Sequence, residues 1–507
     1  MLPAPRASLA PNTAEFETLP LVKPTGFREY DARWWFGIPG SEKAPELNLL
    51  GVQALGLGLG TLIREMGVER KIVVGHDFRS YSLTIKQALT LGLLQAGMEV
   101  HDIGLALSPV AYFAQFALDI SCVAMVTASH NENGWTGVKM GTNKPLTFGP
   151  DEMGKLRDIV AAGAFKPHAG GNYIRVENFR ERYLEEVIKG VKLTRPLKVI
   201  CATGNGTAGA FGPEALRRIG AEVIPLHTEL DWNFPNYNAN PEDAEMLHDM
   251  MVALKKHGAD VALGFDGDGD RCGVVDDEGE EIFADKIGLI LARDLSAQHK
   301  NATFVVDVKS TGLYAIDPVL KANGAKVDYW KTGHSYIKRR TTELGALAGF
   351  EKSGHFFFRP PLGRGYDDGI VAGIAVLQML DRNPGKKLSD LRKALPVSYT
   401  SLTMSPHCDD EKKYGVVEQV IAQYQDLAKS GGKILGRAIR DVNIVNGARV
   451  TLADGAWVLV RASSNKPELV VVVESMTSED DMKALFRDEV KPRLARFPEV
   501  GDYNQEI

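Results

Sequence analysis

Lys71-Ile72-Val73-Val74-Gly75 is a short apolar run that ends in glycine. A Ser/Thr-bearing start and a helical stretch from Ile85 to Ala96 follow it. The same strand-then-helix unit recurs along the chain. Strands are predicted at Leu197-Lys198-Val199-Ile200, Val261-Ala262-Leu263-Gly264 and Phe304-Val305-Val306-Asp307, with helices such as Pro213 to Ile219 and Ala244 to Lys256 between them. Short β-branched runs alternating with helices imply parallel or mixed sheets covered by helices, an α/β fold. In such units ligands sit in the loops that leave the carboxyl ends of the strands.

At 507 residues the chain exceeds one hydrophobic core, and length suggests about three or four domains. Breaks are soft. Lys166-Pro167-His168-Ala169-Gly170-Gly171 reads as a linker, and Asp276-Asp277-Glu278-Gly279-Glu280 as a linker or a hairpin turn. Near residue 396 the pattern changes to an α+β piece, with strands at Ala456–Arg461 and Leu469–Val473 and a helix from about Asp480. The expected domains are 1–175, 176–285, 286–396 and 397–507.

The net charge of −6 gives no basic face for nucleic acid, so an anionic substrate would need local cations. Four widely spaced cysteines suit a reducing cytoplasm. The N-terminus has proline and polar residues where a signal peptide has its apolar region. The longest uncharged run, Asn48 to Ile63, contains four glycines and falls short of a membrane span, so it reads as a buried helix packed through small residues. A soluble cytoplasmic protein without membrane or nucleic-acid partners is expected. The sequence does not separate monomer from dimer.

Asp266, Asp268 and Asp270 alternate with Gly267 and Gly269 directly after an apolar strand. In an extended chain residues two apart are ~6.6 Å apart, too far to share one cation. Interleaved glycines let the chain curl and bring the carboxylates together. Hard oxygen ligands with room for water or phosphate favour Mg²⁺. An Asp/Gly surface turn is the plain alternative. An EF-hand loop is disfavoured, because Arg271 stands where its glycine belongs.

Thr127-Ala128-Ser129-His130-Asn131 follows the strand Val123–Val126 and precedes Gly134, Gly137 and Lys139. His130 could orient the Ser129 proton and Lys139 could offset phosphate charge, but Ser-His-Asn is equally plain turn chemistry. A hydrolase elbow is not matched, since Thr127 and Asn131 occupy its glycine positions.

Taken together these strings carry a resemblance. The Ser129 loop with Gly137 and Lys139 resembles the phosphoserine loop of the α-D-phosphohexomutases, and Asp266-Gly-Asp-Gly-Asp-Arg271 resembles their magnesium loop. Phe350-Glu351-Lys352-Ser353-Gly354-His355 is similar to their sugar-binding loop, and Arg461-Ala462-Ser463-Ser464-Asn465-Lys466-Pro467 to their phosphate-binding loop. All four occur in the family's order. Lys331-Thr332-Gly333-His334-Ser335 points to the phosphomannomutase/phosphoglucomutase branch.

The resemblance implies three similar α/β domains with mixed sheets and a C-terminal α+β domain, one loop from each facing a central cleft. It implies reversible transfer between C1 and C6 of mannose or glucose phosphates through phosphorylated Ser129 and a hexose 1,6-bisphosphate. Asp266, Asp268, Asp270 and a Ser129 phosphate oxygen would hold Mg²⁺. Arg33, Lys139 and Arg271 would stabilise the phosphoryl oxygens, and His130 and His355 would handle protons. Glu351 and Ser353 would bind sugar hydroxyls beside Tyr30, Lys309 and His334. Arg461, Ser463, Ser464 and Asn465 would grip the distal phosphate. Departures are Glu132 and Thr136, where the family has Pro and Asn, and Trp34-Trp35 after the Tyr30-Asp31-x-Arg33 string, where it has Gly. The tryptophans read as cover for the cleft mouth or as part of an insertion, and the first 25 or so residues have no assigned role. A phosphoglucosamine mutase is the alternative within the class. Outside it stand a metal-dependent phosphosugar phosphatase and an inactive phosphosugar-binding protein.

Overall fold

A computed structural model describes residues 2–464 and 466–507; Asn465, expected among the phosphate ligands, lies outside the described residues. The chain forms two compact units. One comprises residues up to Ala284 with Ser353–Ser389, the other Asp285–Lys352 with Asp390–Ile507.

The first unit holds two sheets. Strands β1 (Ala32–Trp35), β2 (Lys71–His76), β3 (Glu99–Leu105), β4 (Cys122–Val126), β5 (Trp135–Gly141) and β6 (Asn172–Arg175) pair in the order β1-β5-β4-β2-β3-β6. The β2, β3, β4 and β6 neighbours run parallel, whereas β5 is antiparallel to both β4 and β1. Ile72, Val73 and Val74 are wholly buried, which is why that run shows no polar alternation. The second sheet orders β7 (Lys198–Ala202), β8 (Glu222–Leu226), β9 (Val261–Phe265), β10 (Cys272–Asp276) and β11 (Glu281–Ile282) as β11-β10-β9-β7-β8. Residues 276–280 turn the β10–β11 hairpin. Lys166–Gly171 is no boundary, because it leads directly into β6, an edge strand of the first sheet.

The glycine-rich run forms the helix Leu49–Glu65 and crosses the helix Ser82–Gln95 backbone to backbone. A Cβ at Gly56 would lie 2.1 Å from the Leu89 carbonyl oxygen, and one at Gly92 2.0 Å from that of Gln53. No helix among the described residues is long and apolar enough to cross a membrane.

The N-terminal segment is built into this unit. The Asn48 amide donates to the Phe16 and Leu19 carbonyls while its oxygen accepts from Leu21 and Gly51 N–H, so it ties that segment to a helix start. Trp34 and Trp35 belong to β1 rather than to an insertion. Trp34 is fully buried and donates from Nε1 to the Lys23 carbonyl, and the Trp35 ring lies where a Cβ on Gly134 would need to be.

Residues 353–389 pack with this first unit, although their place in the chain falls within the expected third domain. The helix Gly369–Arg382 lies on β9, with the Gly373 backbone against Leu263 and Phe265. Its start abuts the Arg271 carbonyl, where a Cβ on Gly369 would lie 2.3 Å away.

In the second unit β12 (Thr303–Asp307) pairs in parallel with β13 (Lys326–Trp330) and β14 (Ala348–Phe350). A wholly antiparallel sheet follows, joining Tyr399–Thr400, Lys433–Ile434, Arg437–Asn443, Ala448–Leu452, Trp457–Ala462 and Leu469–Ser475. Buried Arg449 links this unit's two sheets. Its guanidinium lies over Tyr329 and Trp457 and donates to the Val308 and Ser310 carbonyls.

Candidate active site

The first unit brings together most of the residues singled out by their chemistry. Ser129 leaves the end of β4 with φ +54°, a left-handed conformation that turns its side chain out of the strand direction. Its N–H donates to Thr127 Oγ1 at 2.9 Å, and Oγ lies 3.4 Å from both Asp266 Oδ2 and His130 Nδ1.

The carboxylate loop leaves β9 and curls as expected, though its two glycines do different work. Gly269, at φ +71°, makes the turn. Gly267 permits close approach, since a Cβ there would lie 2.5 Å from the Ser129 carbonyl oxygen. The curl brings ligand oxygens of Asp266, Asp268 and Asp270 within 4.8 Å of one another. All three residues are fully buried, and Asp268 Oδ1 has no hydrogen-bond partner among the described residues.

Cations surround this charge. Lys139, reaching in from β5, binds Asp268 Oδ2 at 2.7 Å and also Asp270. Arg271 donates its N–H to Asp266 Oδ1 at 3.1 Å, and its Nε lies 3.8 Å from Oδ2. His355 Nε2 stands 3.4 Å from Asp270 Oδ1 and Nδ1 3.1 Å from Ser353 Oγ. Arg33, on β1, binds Asp31 Oδ2 through Nε and Nη2 and reaches Asn131 Oδ1 at 2.5 Å. Burial, then the neighbouring Asp270 and Asp268, push the Asp266 carboxyl well above the usual range. Against the same burial, Lys139 and His355 hold Asp270 well below it. Protonating Asp266 therefore relieves the cluster in the way a divalent cation would. An all-oxygen donor set with a buried orphan acceptor fits a hard cation.

Several contributors escaped the sequence reading. Ser108 Oγ donates to Asp268 Oδ2 at 2.5 Å across 160 residues of chain. Glu242 Oε2 lies 3.4 Å from Arg271 Nη1, and Asn238 donates to the His130 carbonyl. Asp367 stands 3.9 Å from His355, and its carboxylate belongs with Asp270 and His355 to a second group close enough to share an ion. No local pattern marks these residues, although the Pro- and Asn-rich run 233–241 is a loop signal at the right place.

In the second unit Asp307, at the end of β12, ties three loops together. It accepts from Ser310 Oγ, Thr332 Oγ1 and the Lys352 N–H. These loops carry the buried Lys309, His334 and Glu351. Glu351 Oε1 accepts from the Gly333 N–H at 2.5 Å, fixing the turn that starts the helix His334–Leu344. Arg461, next to last in its strand, is buried, with Nη1 donating to the Ala462 carbonyl. The loop after it is held by Lys413, whose Nζ donates to the Ser463 and Lys466 carbonyls at 2.5 and 2.9 Å. Tyr30 is buried in the first unit, and Ser464 is half-buried in the second.

Comparison with known proteins gives one consistent answer. Models of phosphoglucomutase/phosphomannomutase α/β/α domains I, II and III match residues 26–167, 181–279 and 283–399, and that of the C-terminal domain matches 408–491. A phosphomannomutase/phosphoglucomutase of Pseudomonas aeruginosa is 31% identical over 489 residues, covering 96% of this chain and 99% of that one. A phosphoglucomutase of Neisseria gonorrhoeae is 30% identical over 453 residues, 89% of this chain and 93% of its own. Among solved structures, a phosphoglucomutase/phosphomannomutase family protein of Burkholderia thailandensis superposes with a TM-score of 0.81 at 28% identity, over 95% of this chain and 99% of the other.

Proposed function

We propose, for a chain that belongs to the phosphoglucomutase/phosphomannomutase family and is an isomerase of hexose phosphates, that Ser129 is the phosphoryl carrier. One observation carries the reading. Within a single compact unit a serine hydroxyl lies 3.4 Å from an all-carboxylate cluster ringed by Arg33, Lys139, Arg271 and His355. Arg33, Lys139 and Arg271 offer a phosphate on Ser129 its charge partners, and the carboxylates offer a cation to share with it.

The reaction moves a phosphoryl group from Ser129 to the free hydroxyl of a hexose 1- or 6-phosphate. The P–O bond to Ser129 breaks as the bond to the sugar oxygen forms. His355 takes the sugar hydroxyl proton, and His130, 3.4 Å from Oγ, returns one to the serine. The resulting hexose 1,6-bisphosphate then gives its other phosphate back to Ser129. Free bisphosphate primes any unphosphorylated enzyme. Asp266, Asp268 and Asp270, with an oxygen of phosphorylated Ser129, would hold Mg²⁺, which when bound withdraws charge from the transferring group. Arg33, Lys139 and Arg271 hold the equatorial oxygens while the attacking and leaving oxygens stay in line, since positioning and charge supply most of the catalysis in such transfers. Glu351 and Ser353 bind sugar hydroxyls, Tyr30, Lys309 and His334 line the sugar, and Arg461, Ser463, Ser464 and Asn465 hold the distal phosphate. Mannose and glucose phosphates are the substrates we assign. Four buried, unpaired cysteines agree with a cytoplasmic setting.

Glucose 1-phosphate, mannose 1-phosphate and glucosamine 1-phosphate, each with Mg²⁺ and a trace of bisphosphate, should be followed separately for 6-phosphate formation. The first two should turn over faster than the third. Release of inorganic phosphate as fast as isomerisation would overturn the mutase reading. Intact mass should show a fraction about 80 Da heavier. Ser129→Ala should remove it with nearly all turnover, and a variant of native activity would show that another group is the carrier.

A further inference from the structure

Arg79 lies outside every loop with recognised chemistry, yet its contacts converge on the serine. Its side chain is fully buried and paired through Nη1 with Asp77. Asp77 is in turn held by the Ser82 hydroxyl and by the Arg79 N–H. The other guanidinium nitrogen, Nη2, donates to two backbone carbonyls of the serine loop, Ser129 at 3.0 Å and Asn131 at 2.5 Å. The Phe234 ring centre lies 5.6 Å from the guanidinium carbon and closes that side. Arg79 thus holds the serine loop through main-chain oxygens.

The loop needs such a tie. Left-handed backbone at a residue with a Cβ is disfavoured and persists only where surrounding contacts impose it. Ser129 adopts it with Oγ turned toward Asp266. Two residues on, Asn131 holds Arg33 through Oδ1. Both carbonyls tied by Arg79 therefore sit on residues whose side chains serve the transfer, Ser129 as carrier and Asn131 as the partner of Arg33. A guanidinium suits the task because its planar fork serves Asp77 on one nitrogen and the two carbonyls on the other; an ammonium lacks that geometry.

We propose that Arg79 is a positioning residue for phosphoryl transfer, holding the Ser129 and Asn131 carbonyls so that Ser129 Oγ and Arg33 are aimed at the reacting phosphorus. It acts through the loop and touches neither substrate nor metal. The inference rests on Ser129 being the carrier. It predicts a defect in the rate of transfer, not in sugar affinity, because the residues assigned to sugar recognition are elsewhere in the chain.

The test uses the full chain with Arg79→Lys and Arg79→Ala. Three quantities are read: kcat and KM for glucose 1-phosphate, the rate of Ser129 phosphorylation by glucose 1,6-bisphosphate from quenched intact-mass spectra, and Tm. Arg79→Lys should fold, keep KM within about threefold, and lose on the order of 10²-fold in both kcat and phosphorylation rate, the usual effect of a displaced reacting group. Arg79→Ala should regain part of its phosphorylation rate in added guanidinium and none in an equal concentration of ammonium. A lysine variant with native kcat, a rise in KM at native kcat, or losses in both variants that guanidinium leaves untouched would each overturn the assignment. Ser129→Ala separates the two readings. If it keeps turnover, the carrier reading falls and Arg79 with it. If it loses turnover while Arg79→Lys is phosphorylated at the native rate, only Arg79 falls.

Discussion

Each compact unit buries carboxylates, and the two sites are made in opposite ways. Glu474, in the second unit, is fully buried and accepts from Thr311 Oγ1, the Gly312 N–H, Trp457 Nε1 and Thr400 Oγ1. Against its burial, those donors hold its carboxyl below the usual range. The three aspartates of the first unit share a small volume, repel one another and leave Asp268 Oδ1 without a donor among the described residues. Burial, then the other two carboxylates, drive Asp266 up. The contrast separates a carboxylate that serves the fold from a set that awaits a guest. The first has its donors supplied by the chain, while the second lacks charge that only a bound cation brings.

That contrast can be broken by substitution. Asp268→Asn should lower turnover by about 10³-fold, on the scale seen when an electrostatic contact to the transition state is removed. Its Tm without metal should be no lower than native, because a repelling charge has gone, and the Tm rise on adding MgCl₂ should vanish. A metal-dependent Tm rise that survives would place the cation elsewhere. Glu474→Gln should do the reverse. We expect a loss of about 3–5 kcal/mol in urea denaturation, because the amide presents donors to donors in a buried network. Its kcat per folded molecule should stay within about twofold of native, since Glu474 touches no reacting group. A large fall in kcat at native stability would erase the distinction.

Asp368 sits between these extremes and sharpens the comparison through pH. Tyr183 and the N–H groups of Ile370 and Val371 donate to it, as donors do to Glu474, yet burial lifts its carboxyl to about 7. The folded state therefore keeps this proton between pH 3.8 and about 7 while the unfolded chain releases it. Stability from this group is present at low pH and lost as pH rises through that window. From pH 5.5 to 7 the loss should be about 1.6 kcal/mol, since the slope of ~1.4 kcal/mol per pH unit halves as the pH reaches about 7. Asp368→Asn, which keeps the helix cap, should flatten this part of the urea-midpoint profile. An unchanged slope in that variant would remove Asp368 as its source.

How much of this could be read from sequence follows the same division. The strands and the carboxylate loop were legible, because an apolar run followed by alternating Asp and Gly is a local signal that favours a cation site over a plain surface turn. Ser129 was legible only through resemblance; its turn looks like any other until Asp266 is placed 3.4 Å away. Arg79 and Ser108 were invisible because each acts on a residue 50 or more positions away, and Asp77 and Asp367 carry no pattern of their own. The insertion reading of the tryptophans failed for a related reason. Trp35 reads as an insertion until its register with Trp135 in β5 and its edge-to-face contact with that ring are known. Asn48 likewise gives the N-terminal segment a place that composition alone could not.

The return of residues 353–389 to the first unit has a consequence for synthesis. The Gly369–Arg382 helix covers Leu263 and Phe265, and Gly369 seats on the Arg271 carbonyl. A nascent chain that has passed Ala284 has made both sheets of that unit but not the helix that covers β9. About a hundred further residues must leave the ribosome before this apolar face is sheltered. During that interval the growing chain exposes surface that invites chaperones, and fragments ending near Ala284 inherit the same exposure permanently.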